Sequence, residues 1–351
     1  MHWRKGWLLA IVAVVAGAPA RGADGGQGPL FPVRQGGKWG YVDRAGRVVV
    51  APRFEAAARF SEGLAAVVLE GKHCYVDVTG RVVLAPEQEP AGPHHRSFAS
   101  GRAAVRSGAA IGFIDRSGKL AIPARFTSAD DFSEGLAFAC AERGCGYVDR
   151  AGTPVSPALL GAAPLRDGIA GVWIGKGKMT GKRYALYDAR RGVLPGDYES
   201  VGRMSEGLVA VRYQGRWGYV DRTGRGVIRP QFSGAGEFSD GLAPVSEQAW
   251  TCGYLDRTGK LAIPARFRLC YPFSSGRARV EILGEDPKVP LPAFIDRTGR
   301  VVFEGAAATP PFESAEDFVD GLAAVEAAGS AGGKKLGYVD ADGRYVWPPT
   351  E

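Results

Sequence analysis

The stretch Gly37-Lys38-Trp39-Gly40-Tyr41-Val42-Asp43-Arg44-Ala45-Gly46 decides the fold, because it is answered by Gly215-Arg216-Trp217-Gly218-Tyr219-Val220-Asp221-Arg222-Thr223-Gly224 far along the chain. Its core, aromatic-aliphatic-Asp-x-x-Gly, also appears at Tyr75, Phe113, Tyr147, Tyr254, Phe294 and Tyr338. A ninth, degenerate copy is Leu186-Tyr187-Asp188, with its glycine one residue late at Gly192. From Asp43 to Asp340 there are eight steps of about 37 residues each, a period in the range of tandem repeat architectures. The tetrapeptide has a local meaning. Asp at the first position of a tight turn accepts backbone N–H groups, and Gly at the fourth tolerates the left-handed conformation that closes a hairpin.

Two further strings lie between these anchors. Phe60-Ser61-Glu62-Gly63-Leu64-Ala65 is echoed at Phe132, Phe238 and Phe318, and nearly so at Met204. Pro-x-x-Phe or a shorter form follows each Asp turn, as in Pro52-Arg53-Phe54 and Pro123-Ala124-Arg125-Phe126. Each unit therefore reads as a three-stranded antiparallel meander. A short Leu-Ala-Ala-Val strand is followed by the Trp-Gly-Tyr-Val strand, and a β-branched strand such as Arg47-Val48-Val49-Val50 is stopped by Pro. The Phe-rich link would pack across the meander. Short strands with turn signals this frequent predict an all-β protein.

These strings together resemble the WG-repeat (KWG repeat) family, and the similarity runs over residues 30–350. The signature residues are Trp39, Gly40, Tyr41, Asp43 and Gly46, with Trp217, Gly218, Tyr219, Asp221 and Gly224. Trp-Gly itself survives in two of the nine units, and His73-Cys74 has lost both residues. The resemblance implies a bacterial protein of β-structured modules and carries little chemistry. The first and last units each hold all three strands, so we expect an open, curved, solenoid-like stack, with a closed propeller-like ring as the alternative.

The chain has 351 residues, 45% hydrophobic and 23% charged, with 51 Gly and 23 Pro. That composition is globular, and length alone would suggest two domains. The repeat instead predicts one, over 30–351, after a signal peptide at 1–20 and a short linker at 21–29. Arg4 and Lys5 begin the leader, residues 7–16 form its apolar run, and Ala18-Pro19-Ala20 offers the cleavage pattern. The mature chain is then exported, periplasmic or extracellular, with no membrane span. The formal charge of +7 is scattered through turns rather than gathered into a stripe, which argues against a nucleic-acid partner.

Export permits disulfides. Cys140 and Cys145 face each other across a hairpin, and Cys252 and Cys270 form the second candidate pair because Cys270 falls in the link over its own unit. Cys74 is left over. The four histidines, His2, His73, His94 and His95, have no ligand spacing for a metal, and none follows position 95 to serve a nucleophile. The stretch Gly175-Lys176-Gly177-Lys178-Met179-Thr180-Gly181-Lys182 lacks the spacing of a phosphate loop and reads as a basic protrusion. Trp250, in the turn before Cys252, is the aromatic to consider for stacking on a sugar.

The repeated turn aspartates read as structural. The Ser-Glu/Asp-Gly acids, among them Glu134 and Glu206, are the carboxylates a glycosidase-like pair would draw on, yet no pair stands apart from its repeats. No catalytic, cofactor or metal residues are assigned. The expectation is a non-enzymatic binding or scaffold module of the bacterial envelope, whose partner is a protein or an envelope polymer. The alternatives are a polysaccharide hydrolase and a purely structural spacer.

Overall fold

The computed structural model describes residues 28–91, 96–175, 182–247, 251–283, 290–329 and 333–350. The leader 1–20, all but the end of the 21–29 linker, His94, His95, Trp250 and residues 176–181 of the basic loop lie outside the described residues. Nine antiparallel sheets follow one another along the chain, and they are the blades of a β-propeller. Blade 1 consists of Phe31–Gln35, Lys38–Val42 and Val48–Phe54; blades 2 to 9 begin at Ala56, Glu89, Ser128, Gly161, Ser200, Gly234, Leu269 and Ser314.

The blades are four-stranded where the sequence suggested three. The added strand lies ahead of Leu-Ala-Ala-Val: in six blades it is a two-residue piece, such as Ala56–Ala57 pairing with Val68 and Val67, and in two it runs over Ser200–Ser205 and Leu269–Ser274. Two residues display no alternation, so no periodicity can reveal such a strand. Sheets 1 and 4 have three strands; the first lacks this inner piece and the fourth the outer one. The Ser-Glu-Gly-Leu string is the turn out of the inner strand. Glu62 (φ 53°) and Gly63 (φ 78°) are both left-handed, the conformation a two-residue hairpin turn demands. The Asp-x-x-Gly turn forms as expected: Asp43 Oδ1 accepts the Ala45 and Arg47 N–H at 2.9 and 3.0 Å.

Proline does not stop the outer strand, which runs through Pro52 to Phe54. Trp39 pairs with Phe54 and Tyr41 with Val50, so two surplus residues bulge over Gly40. A Cβ on Gly40 would stand 2.5 Å from the Val50 carbonyl oxygen, and one on Gly218 equally close to that of Ile228. That crowding is the reason for the glycine of the signature. Where the position is Cys74, Ala185 or Ala293, the outer strand shrinks from seven residues to Val82–Leu84, Gly192–Val193 or Val301–Glu304.

The blades form a closed ring, which overturns the expectation of an open stack. Across successive interfaces a tyrosine of one blade donates to a carbonyl of the next blade's inner segment, as Tyr41 to Ala58 at 2.7 Å and Tyr219 to Gly236 at 2.9 Å. The same tyrosine meets the next blade's Phe, as in Tyr219–Phe238 and Tyr254–Phe273, both 4.9 Å between ring centres. Blade 9 treats blade 1 in this way: Tyr338 donates to the Pro32 carbonyl at 2.9 Å. Gly46 lies against Val346 as Gly80 lies against Val50. Complete terminal units can thus close by face-to-face packing, with no strand shared between the ends.

Blade 1 is adapted to that seam. It lacks the inner strand, and the sequence four residues before Leu30 has Gly26 where other units place Phe. Phe31 makes good the loss. It occupies the register position held by Ala or Val in the other eight blades, such as Ala65, Val209 and Ala323, and its ring meets Tyr338 at 5.5 Å. The Thr350 hydroxyl donates to the Arg34 carbonyl, a group that in blade 2 corresponds to the Val68 carbonyl bonded by Glu55 N–H.

Candidate functional site

The residues that vary most from unit to unit come together at the inner edge of the ring. Arg59, Asp131, Arg203, Glu237 and Asp317 each immediately precede the aromatic or Met of the Phe-Ser-Glu-Gly string, and Arg96, Asp130 and Glu316 stand one place earlier. Arg59 of blade 2 pairs with Glu316 of blade 9 at 3.2 Å, and Arg166 of blade 5 with Glu237 of blade 7 at 3.6 Å. Each of these pairs passes over an intervening blade, which only side chains near the axis can do. Arg96–Asp131 at 3.1 Å, Arg279–Asp317 at 3.4 Å and Arg203–Glu237 at 3.9 Å continue the circle. The Arg279 guanidinium also lies over the Tyr271 ring, 3.3 Å from its centre.

This axial rim is polar and confined. Burial pushes the carboxyls of Asp131 and Asp317 above the ordinary carboxylate range, with Arg96 and Arg279 pulling the other way. Asp130 shifts upward for the same first reason, although its surface is open to water; the surrounding blades confine it without sealing it. A rim of paired guanidinium and carboxylate groups can receive a polar or zwitterionic segment by exchanging its internal ion pairs for external ones.

The acids singled out from the sequence have another task. Glu134 of blade 4 accepts the N–H groups of Asp167 and Gly168 in blade 5, both at 2.7 Å, and Glu206 accepts Gly241 N–H at 3.2 Å. Each carboxylate is committed to the neighbouring blade's turn, and Ser61 and Ser133 bond the next blade's carbonyls beside them at 2.7 Å. The basic residues of the Asp-Arg-x-Gly turns lean the opposite way round the ring. Arg116 donates to the Glu62 carbonyl, and Arg257 stands 3.7 Å from Glu206. The arginine just before the outer-strand Phe is a third tie, with Arg53 and Arg266 each donating at 2.6 Å to the Gly80 and Gly299 carbonyls of the following blade.

Cys140 and Cys145 are directly opposed on paired strands with their sulfurs bonded. Cys252 and Cys270 are also bonded, with Cα atoms 6.0 Å apart. Cys270 belongs to the first strand of blade 8 rather than to a link over its own unit, so this bond staples blades 7 and 8. Cys74 is a buried free thiol. The signature residues Trp39, Tyr41, Asp43, Trp217, Tyr219 and Asp221, with their glycines, lie in strands and turns between blades and do not gather at the axis. Among the described residues no group of three or more His, Cys, Asp or Glu side chains is placed to hold a metal ion, and no helix is long and apolar enough to cross a membrane.

A closed ring of nine repeated blades with a charged axial rim defines a β-propeller built from tandem repeats. The WG-containing repeat is matched five times, at residues 39–72, 111–142, 193–217, 217–248 and 253–284. The chain belongs to the WG-repeat family. Among curated proteins none matches the sequence. A solved structure described as the crystal structure of the eukaryotic initiation factor is similar with a TM-score of 0.60 at 12% identity, over 91% of this chain and 95% of that one; the likeness is one of fold. The dihydro-heme d1 dehydrogenase NirN in complex with DHE gives a TM-score of 0.45 at 12% identity, over 97% and 76%.

Proposed function

We propose that this is an exported, non-enzymatic binding or scaffold module of the bacterial envelope, and that the axial rim is its contact surface. One observation carries the reading. Positions that hold blades together repeat from unit to unit, whereas the rim positions run Arg59, Ser97, Asp131, Pro164, Arg203, Glu237, Pro272, Asp317. Variation concentrated on one surface of a regular scaffold is what recognition of a particular partner requires. The partner is a protein or envelope polymer presenting both charge signs. The repeat acids Glu134 and Glu206, engaged between blades, lend no support to a hydrolase.

The test is capture from envelope extracts by the immobilised mature protein, beside a quadruple variant Arg96→Gln, Asp131→Asn, Arg279→Gln, Asp317→Asn that removes charge of both signs equally. Enrichment of a partner by the wild type and its loss in the variant are expected. Capture of nothing above background by the wild type would leave the spacer reading in its place. Export is checked separately, by fusing residues 1–29 to a reporter enzyme that is active only outside the cytoplasm.

A further inference from the structure

Blade 4 has no outer strand, and in its place a segment donates from Val155 and Leu159 N–H to the Tyr147 and Cys145 carbonyls. The three blades whose outer strands are only shortened should each leave a gap against the next blade, and two of those gaps are plugged. After blade 8, Phe303 packs on Gly343, and the short helical turn Gly305–Ala307 with Phe312 fills the remainder. After blade 2, Leu84 covers Gly118 and the segment around Pro86–Pro90 leaves a void of only about 10 Å³. After blade 5 the gap stays open as a cleft of about 490 Å³, within the 300–1,000 Å³ usual for small-ligand sites.

The cleft has a built lining. Tyr198 stands opposite Tyr184, where regular units place the buried Phe of Pro-x-x-Phe, and the turn Pro195-Gly196-Asp197 wraps its ring so closely that a Cβ on Gly196 would come within 2.7 Å. Blade 6 presents Tyr213, Val227 and Arg229 from the other side, beside Pro230. Tyr213 and Val227 keep 46% and 48% of their surface exposed, high for large apolar side chains in a strand. The polar ends of Tyr198, Tyr213 and Arg229 are without a protein partner, since none of the hydrogen bonds or ion pairs among the described residues engages them. The neighbouring acids are already neutralised: Asp197 by Arg183 at 2.7 Å, and Glu199 by Arg212 at 3.5 Å and Gly215 N–H at 3.1 Å. The single uncompensated charge in the cleft is therefore the positive one of Arg229.

We infer that this cleft binds a carboxylated sugar, a uronic acid residue within a short oligosaccharide. The tyrosine rings offer flat apolar faces for a pyranose ring, their hydroxyls suit sugar hydroxyls, and the guanidinium matches a carboxylate in two-point geometry. The site is independent of the axial rim, so the two assignments can fail separately.

The experiment titrates the purified mature protein, by calorimetry, with a panel of disaccharides containing glucuronate, galacturonate or mannuronate. Each is set beside its neutral hexose counterpart. At least one uronate should bind saturably and at least tenfold more tightly than its counterpart. Arg229→Gln should abolish that preference, and Tyr213→Ala should weaken binding at least tenfold. Arg59→Ala at the rim should change nothing, and circular dichroism establishes that each variant is folded. Absence of saturable binding across the panel, equal affinity for the neutral sugars, or undiminished binding by folded Arg229→Gln would each overturn the assignment.

Discussion

Arg59 and Glu316, 257 residues apart, pair at 3.2 Å and bridge blades 2 and 9 across the one blade that has no inner strand. Their bond completes the inner circle where blade 1 cannot contribute to it. How much it matters can be ranked against the other closure contact. An ion pair with a solvated partner contributes under about 1 kcal/mol, whereas the Tyr338 hydroxyl and the Pro32 carbonyl are buried. Tyr338→Phe leaves that carbonyl unpaired and should cost about 1–2 kcal/mol, against less than about 1 for Arg59→Ala. Denaturant midpoints rank the two; a larger loss for Arg59→Ala would show that the seam is held electrostatically.

The signature glycine makes a sharper claim. Gly218→Ala drives a methyl to 2.5 Å from the Ile228 oxygen and 2.7 Å from Pro230 N, backbone on both counts, so neither neighbour can swing away. A loss of about 2–3 kcal/mol is expected, at the upper end of overpacking costs. Ala185→Gly, at the same register position under a short outer strand, should cost about 1–2 kcal/mol, from added backbone freedom and the loss of a buried methyl. Thermal or chemical denaturation of the two variants distinguishes a steric role from a mere preference.

The Cys252–Cys270 bond closes an 18-residue separation, for which chain-entropy arguments give about 3 kcal/mol. Cys252→Ser with Cys270→Ser should lower stability by up to that amount and expose the blade 7–8 interface to protease. The Cys140–Cys145 bond spans 5 residues within one hairpin and should contribute less. Intact-mass measurement before and after reduction checks both bonds, and Cys74 should react with alkylating reagents only on unfolding.

Acid should destabilise the ring through its turns. The Thr298 hydroxyl, assisted by backbone N–H groups and Arg300, holds Asp296 down to about 2, and Asp115, Asp221 and Asp256 are lowered for the same first reason by Ser117, Thr223 and Thr258. A depressed folded value adds stability above the unfolded value near 4, lost as pH falls towards 2. Asp131 and Asp317 have the opposite sign, because their raised values make the folded state take up protons first as the solution is acidified. Denaturation midpoints between pH 7 and pH 2.5 should fall for the wild type. They should fall less for Asp296→Asn, which forgoes about 1 kcal/mol of turn bonding at pH 7, and more for Asp131→Asn.

The parts of this architecture that could be read from the sequence are those that repeat. Trp39-Gly40-Tyr41-Val42 and Asp43 to Gly46 announce a strand and its turn because a side chain or a φ value is demanded at each place. Most inner strands escape notice because two paired residues, such as Ala56 and Ala57, have no pattern. Ring closure was hidden for a different reason: complete end units are compatible with both an open and a closed array. The telling residue is Phe31, large where Ala and Val are otherwise used, and its meaning emerges only beside Tyr338. The axial rim is not legible in the sequence because Arg59 and Asp131 sit just outside the recurring strings, and irregularity next to a repeat reads as decay. Sequence order places Cys270 in a link over its own unit, because nothing in it shows that the Phe-rich link belongs to the following blade.

The matched repeat 39–72 starts in the second strand of blade 1 and ends in blade 2. A solenoid has two terminal units held on one side only, and these fray first. Here every blade has a neighbour on each side, so no unit can depart without breaking two interfaces. Melting should therefore be a single cooperative event, beginning at the seam where Phe31 stands in for a strand.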